Sequence, residues 1–215
     1  AATIASWVAG GLHVTYCLVT DGDAGGHDPA VPRAEIPRIR RAEQTAAAKE
    51  VGVSDLVWLG YPDGQVVASL ALRRDIARVI RQVRPQRVVC PWPERNFARV
   101  FASHPDHLAV GEATLCAVYP DARNPFAFPE LGAEGLEAHI VDEVWGMGTP
   151  QPDTYVDVTD TFDRKVAALR AHTSQTGTMN DLEGLLRSWL EANAAAAGLP
   201  PGRLAEAFRR IDTSE

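Results

Sequence analysis

The chain has 215 residues, 46% of them hydrophobic and 23% charged, with a formal net charge of -7 and a pI near 5.4. This is the balance of a folded soluble domain large enough to bury one core, far from the composition of disordered chains. The acidic surplus, with no cluster of Lys and Arg interleaved with aromatics, excludes a nucleic-acid reader, and no run reaches the ~18 to 20 apolar residues of a membrane span.

In chain order, the spacing of Ala1 to Ala9 predicts a helix that stops at Gly10-Gly11. The β-rich run LHVTYCLVT follows as a strand closing on the turn-rich DGDAGGHDP. An Ala-rich helix is predicted from about Glu35 to Val51, then Gly52 and a short strand, DLVWLG. Leu70 to Val83 repeats the helix, Pro85 stops it, and RVVCPW has the continuous apolar character of a strand inside a parallel sheet. His104 to Tyr119, with Pro105 near its start and Leu108, Val110, Leu115 and Val118 at helical intervals, predicts the next helix. PDARNPFAFPELG reads as a loop, HIVDEVWGMG and TYVDVT as strands, and Asp160 to His172 and Asp181 to Ala197 as helices.

Alternating strands and helices predict βαβ units with right-handed crossovers. The expected fold is a Rossmann-like three-layer α/β/α domain with a mostly parallel sheet. No repeat, linker or low-complexity tract divides the chain, so residues 1–215 are read as one domain. Cys17, Cys90 and Cys116 are odd in number, far apart and set in apolar runs, which argues for buried thiols in a reducing cytoplasm and against a metal knuckle or disulfide framework.

The strongest chemical signal is His104-Pro105-Asp106-His107, just after a predicted strand and at the mouth of a predicted helix. Ligands bind at the carboxyl ends of strands in such sheets. Imidazole is the commonest ligand of a borderline cation such as Zn2+, and a neighbouring carboxylate sets a histidine's tautomer. On spacing alone, a polar helix cap with solvated histidines is an equal reading.

The company of this motif shifts the balance. TDGDAGG, the Arg40-x-x-Glu43 helix, GVSDLVWLGYPDG, RPQRVVCP, SHPDH, YVDVTDTFDRKVAALRAHTSQT and LAEAFRRI occur in an order that resembles the LmbE-like (PIG-L) zinc-dependent de-N-acetylases over essentially the whole chain. HPDH and the K-x6-H-x-SQ element (Lys165, His172, Ser174, Gln175) are the specific parts. The resemblance implies a single Zn2+ held by a His and an Asp of an N-terminal AHPDDE-like motif and by the last His of HPDH, here His107. It makes His104 the group that stabilises or protonates the tetrahedral intermediate, Asp106 the residue that orients it, and the second Asp of the N-terminal motif the general base. That motif has no counterpart in this sequence, which opens at Ala1 inside the first predicted helix, so the domain is read as truncated at its N-terminus. Either those residues precede Ala1, or the chain is inert. Amide hydrolysis fits this residue set, since bound Zn2+ lowers the pKa of water from ~15.7 to about 7 and polarises the acyl oxygen.

Other residues carry two readings. Asp63 in YPDG resembles a family position that hydrogen-bonds a sugar hydroxyl, and Pro-Asp-Gly is equally a β-turn. Arg40 reaches a substrate or pairs with Glu43 on the helix surface. Asp21 and Asp23 lack the remaining ligands of a calcium loop and read as a tight turn lining a cleft. His172 suits a helix C-terminus, and the resemblance makes it a structural element beside the cleft. His13, His27 and His139 read as structural or solvated.

The function expected is removal of an N-acyl group from an N-acylated amino sugar or related small conjugate by zinc-activated water, in the cytoplasm, and a homo-oligomer is compatible with it. The rival is a catalytically inactive sugar-binding or assembly relative. A nucleotide-binding reading is weaker, because no G-x-G-x-x-G follows the strand ending at Thr20.

Overall fold

The computed structural model describes every residue except His27, Ala98, Arg99, Phe101 and Ala102. The elements in chain order are α1 (Ala2–Ala9), β1 (Thr15–Thr20), α2 (Ile36–Glu50), β2 (Asp55–Tyr61), α3 (Leu70–Val83), β3 (Arg87–Pro91) and α4 (Pro105–Cys116). There follow α5 (Pro129–Ala133), β4 (Glu143–Met147), β5 (Thr154–Asp157), α6 (Phe162–Arg170), α7 (Thr173–Thr176), α8 (Leu182–Ala196) and β6 (Ala205–Asp212). This is a mixed α/β fold with a parallel sheet, β1-β2, and a mixed sheet of order β3-β4-β6-β5. β3 runs parallel to β4, with Val88 opposite Val144, and β6 runs antiparallel to β4, with Ile211 opposite Val144. The antiparallel strand β6 and the short helices α5 and α7 have no counterpart among the predicted elements.

The chain divides into two compact units, one of Ala1–Asp63 with Tyr155–Ala207 and one of Gly64–Thr154 with Phe208–Glu215. In the first, β1 and β2 pair with Thr15 opposite Asp55 and Leu18 opposite Trp58, the parallel arrangement that needs a crossover helix, here α2. Ala47 and Ala48 of α2 let it pack closely with Ala5 of α1 and Ala168 of α6, and Val51 and Val53 complete the cluster. Leu182, Leu186 and Leu190 recur every four residues on α8, one stripe of a helix, and meet Phe162 and Val166 of α6. Glu206 is buried, and its carboxylate accepts the Thr3 amide at 2.9 Å and Lys165 Nζ at 2.5 Å. It therefore caps α1 from a distant strand and gives Lys165 of the K-x6-H-x-SQ element a structural partner.

In the second unit α3 starts at Ser69, whose Oγ accepts the Leu72 amide at 3.2 Å, and ends at Arg84 with φ 51, just ahead of Pro85. Arg81 on this helix is buried, and its guanidinium donates to the carbonyls of Asp121, Asn124 and Ala127 at 2.9, 2.9 and 3.0 Å, fixing the Pro-rich segment that follows α4. α4 is shorter than its sequence spacing predicts. It ends at Cys116 and passes into a wider turn, Ala117–Ala122, in which Tyr119 is extended (φ -138, ψ 118) because Pro120 disfavours a helical residue before it. Cys90 is buried, and burial pushes its thiol up to about 12. Cys17 is exposed, which corrects the expectation of three buried thiols.

Candidate active site

HPDH stands where α4 begins, after β3. Pro105 opens the helix and His104 is its N-cap, with Nδ1 accepting the backbone N–H of Asp106 at 3.3 Å. With Nδ1 an acceptor, the proton of the neutral ring sits on Nε2. His104 and His107 are both exposed, their ring centroids 5.5 Å apart. Asp106 between them is 5% exposed, and its carboxylate accepts the amides of Gly64 at 2.7 Å and Val66 at 3.2 Å. Asp106 therefore holds His104 by its backbone N–H and spends its carboxylate on a segment some forty residues away. α4 can approach β3 only because residue 111 is glycine, since a Cβ there would lie 2.4 Å from the Pro91 carbonyl oxygen.

The other predicted residues lie in the first unit. Arg40 donates through Nη1 to Glu43 Oε2 at 2.8 Å and lies 3.4 Å from Ser174 Oγ, while its Nε is buried without a hydrogen-bond partner among the described residues. Glu43 is 7% exposed, so this is an internal pair and not the surface pair that i,i+3 spacing suggests. Its carboxylate also accepts the Ser174 amide at 2.6 Å, Ser174 Oγ at 2.8 Å and Thr173 Oγ1 at 3.0 Å. Burial alone would raise the Glu43 carboxyl; the donors of Ser174, Thr173 and Arg40 overturn this and hold it below its ordinary range. His172 Nδ1 is buried without a partner among the described residues, and burial, then Arg40, lowers its pKa against the opposing pull of Glu43. Gln175 Nε2 donates to the Gly25 carbonyl. The K-x6-H-x-SQ element thus folds onto the Arg40-x-x-Glu43 helix, with Glu43 as the hub that sequence spacing does not single out.

The Asp63 amide donates to Asp23 Oδ1 at 2.8 Å, and Arg33 Nη2 donates to Asp23 Oδ2 at 2.7 Å. These bonds, the Asp63 amide first and then Arg33, keep the Asp23 carboxyl low. Asp21 accepts Arg41 at 2.8 and 2.9 Å, so both acids of the DGDAGG loop are partners of arginines. The loop runs past both predicted substrate residues: a Cβ on Gly22 would meet Arg40 Nε at 3.2 Å, and one on Gly25 would lie 3.7 Å from Asp63 Oδ2. His13, largely exposed, pairs with Asp55 at 2.8 Å, and His139 Nε2 lies 2.8 Å from the Pro85 carbonyl. His27 lies outside the described residues.

His104, Asp106 and His107 are thus together in one unit, and Arg40 and Asp63 share a loop in the other. Among the described residues no group of three or more His, Cys, Asp and Glu could hold a metal ion. The donor chemistry of His107, an exposed imidazole beside a second one, fits one ligand of a Zn2+ site and not a complete site.

Comparison with known proteins bears on this arrangement. Over 210 aligned residues the chain is 31% identical to a diacetylchitobiose deacetylase of Thermococcus kodakarensis, covering 97% of this chain and 76% of that protein. It is 32% identical over 176 residues to a probable N-acetyl-alpha-D-glucosaminyl L-malate deacetylase 2 of Bacillus cereus, covering 79% and 73% respectively. The solved structure of N,N'-diacetylchitobiose deacetylase from Pyrococcus horikoshii, complexed with its inhibitor MPG, superposes with a TM-score of 0.89 at 28% identity, covering 99% of this chain and 78% of that one. These relatives are deacetylases, that is, amide hydrolases. Residues 1–118, which carry the DGDAGG loop, the Arg40 helix, YPDG and HPDH, match the family PIG-L, GlcNAc-PI de-N-acetylase, and with relatives at this identity and coverage the chain belongs to that family.

Proposed function

We propose that this protein is a metal-dependent hydrolase that removes an N-acyl group, acetyl above all, from an amino sugar or a related small conjugate. The observation that carries this reading is the pair of exposed imidazoles at the start of α4, one of which has its Nδ1 already engaged as the helix cap. Relatives named as deacetylases of N-acetylglucosamine compounds support the substrate class. Cysteines odd in number and far apart in sequence support a cytoplasmic location, and the βαβ arrangement of β1, α2 and β2 supports a Rossmann-like three-layer frame.

The roles follow from the side chains. His104 presents Nε2–H to the acyl oxygen as it becomes negative and stabilises that charge, a contribution of ~10^2 to 10^3 in rate for one such donor. Asp106 orients that ring through its backbone N–H. His107 is one ligand of the ion, for which we propose Zn2+; bound, that ion supplies an activated water and polarises the acyl group. Arg40, steered by Glu43, and Asp63 bind the hydroxyl or anionic groups of the substrate.

The test is acetate and free amine released from N-acetylglucosamine by the intact protein supplied with Zn2+, beside its His104→Ala variant. Stoichiometric release that falls ~10^2-fold or more in the variant is expected. No release by either, with N-acetylglucosamine bound, would favour the catalytically inactive sugar-binding reading.

A further inference from the structure

We propose that the Asp106 carboxylate is a positioning group for the substrate-binding turn that ends at Gly64, and that it governs substrate affinity more than the chemical step. The inference rests on the proposed function for its readout and goes beyond it in assigning this carboxylate a role apart from His104. Its oxygens are taken by two backbone amides: Oδ2 accepts from Gly64 N at 2.7 Å and Oδ1 from Val66 N at 3.2 Å. With Asp106 5% and Val66 6% exposed, water is a poor substitute for the Val66 bond, while the shorter bond ties down the exposed Gly64. A buried carboxylate spanning two amides of one segment fixes that segment's path, and charge-assisted bonds of this kind are the strong ones.

The segment matters because the Gly64 amide belongs to the peptide bond that follows Asp63. Gly64 has φ +81, the left-handed region that favours glycine, so the turn is a definite conformation that the carboxylate holds by its closing amide. The restraint reaches Asp63 through the chain itself. His104, by contrast, is held by the Asp106 backbone N–H, which no side-chain substitution at 106 removes. Asp106→Asn keeps that bond and turns one carboxylate oxygen into an NH2 that faces a backbone donor.

The experiment combines steady-state kinetics on N-acetylglucosamine with backbone amide hydrogen exchange, for the intact wild-type protein, Asp106→Asn, Asp63→Ala and the double variant. Asp106→Asn is expected to raise KM on the order of 10-fold with a smaller fall in kcat, and to speed exchange at Gly64 and Val66 on the order of 10-fold or more. In the Asp63→Ala background most of the KM effect should vanish, because both changes act through one contact. A loss confined to kcat, or KM effects that multiply independently, would overturn the proposal. If the wild-type protein hydrolyses no N-acetyl sugar, the functional reading falls, while the exchange at Gly64 and Val66 still judges the restraint: unchanged rates in Asp106→Asn refute it. Should Asp106→Asn fail to fold, Asp106→Glu, which keeps the charge but displaces it by a methylene, carries the same measurements with the same expected direction.

Discussion

Gly111→Ala tests how the fold delivers the histidines. An added Cβ would stand 2.4 Å from the Pro91 carbonyl oxygen, 3.1 Å from Pro93 N and 3.2 Å from Pro91 C, all backbone atoms that cannot rotate aside. Since Cβ contacts essentially never fall below 3.0 Å, α4 must withdraw from β3 by more than about half an ångström. Overpacking of this kind costs about 1–3 kcal/mol, and the better helix propensity of alanine offsets about 1 kcal/mol of it. A net loss of up to about 2 kcal/mol corresponds to a fall in Tm of up to about 8 °C for a chain of this size. His104 and His107 begin the same helix, and misplacement by ~1 Å can cost ~10^2 in rate, so kcat/KM should fall at least ~10-fold. Thermal unfolding followed by circular dichroism, with acetate release alongside, reads both effects. A variant more stable than the wild type and equally active would refute the close seating of α4 on β3.

Two further predictions concern titrating groups of the first unit. Burial alone would raise the Glu206 carboxyl, but the Lys165 ammonium and the Thr3 amide pull it the other way, below its ordinary 4.5. Lys165→Met should therefore cost about 3–5 kcal/mol at neutral pH by leaving a buried charge short of its partner. Its contribution is present above the unfolded carboxyl pKa and lost as pH falls through the folded one, so the gap to wild type should narrow below about 4.5 in urea titrations; a gap under ~1 kcal/mol at pH 7 would contradict the pair. His172 is shifted the other way in charge terms: burial and then Arg40 lower its pKa from 6.5, so below that pH the unfolded chain binds more protons and stability falls. His172→Asn should flatten the loss of stability between about pH 6.5 and 5, and parallel curves for the two proteins would show that another group carries it.

Much of the frame was legible because local rules and tertiary packing agree. α3 has the predicted ends, Leu70 and Val83, since a Ser cap, an apolar stripe and a following Pro all say the same thing. β6 was not legible: AEAFRRID is rich in helix formers and becomes a strand through its antiparallel pairing with β4, a partner far away in sequence. The same limit applies to the site. HPDH at a helix mouth is visible from spacing, but the partners of the Asp106 carboxylate, Gly64 and Val66, and the donors gathered on Glu43 from residues 173 and 174 are matters of tertiary contact. Arg40 illustrates both sides. Its spacing from Glu43 marks a pair, and only the fold shows that the pair is internal and that Nε is left over.

The central claim is that HPDH divides its labour, with His107 holding the metal and His104 serving the acyl group. The direct measurement is zinc content and kcat on N-acetylglucosamine for the intact protein and for His104→Ala and His107→Ala, purified side by side. About one Zn2+ per chain is expected in the wild type, near-normal zinc with a loss of ~10^2-fold or more in kcat in His104→Ala, and loss of both in His107→Ala. Zinc lost from His104→Ala but kept by His107→Ala would reverse the two roles, and full activity in both variants would remove HPDH from the mechanism.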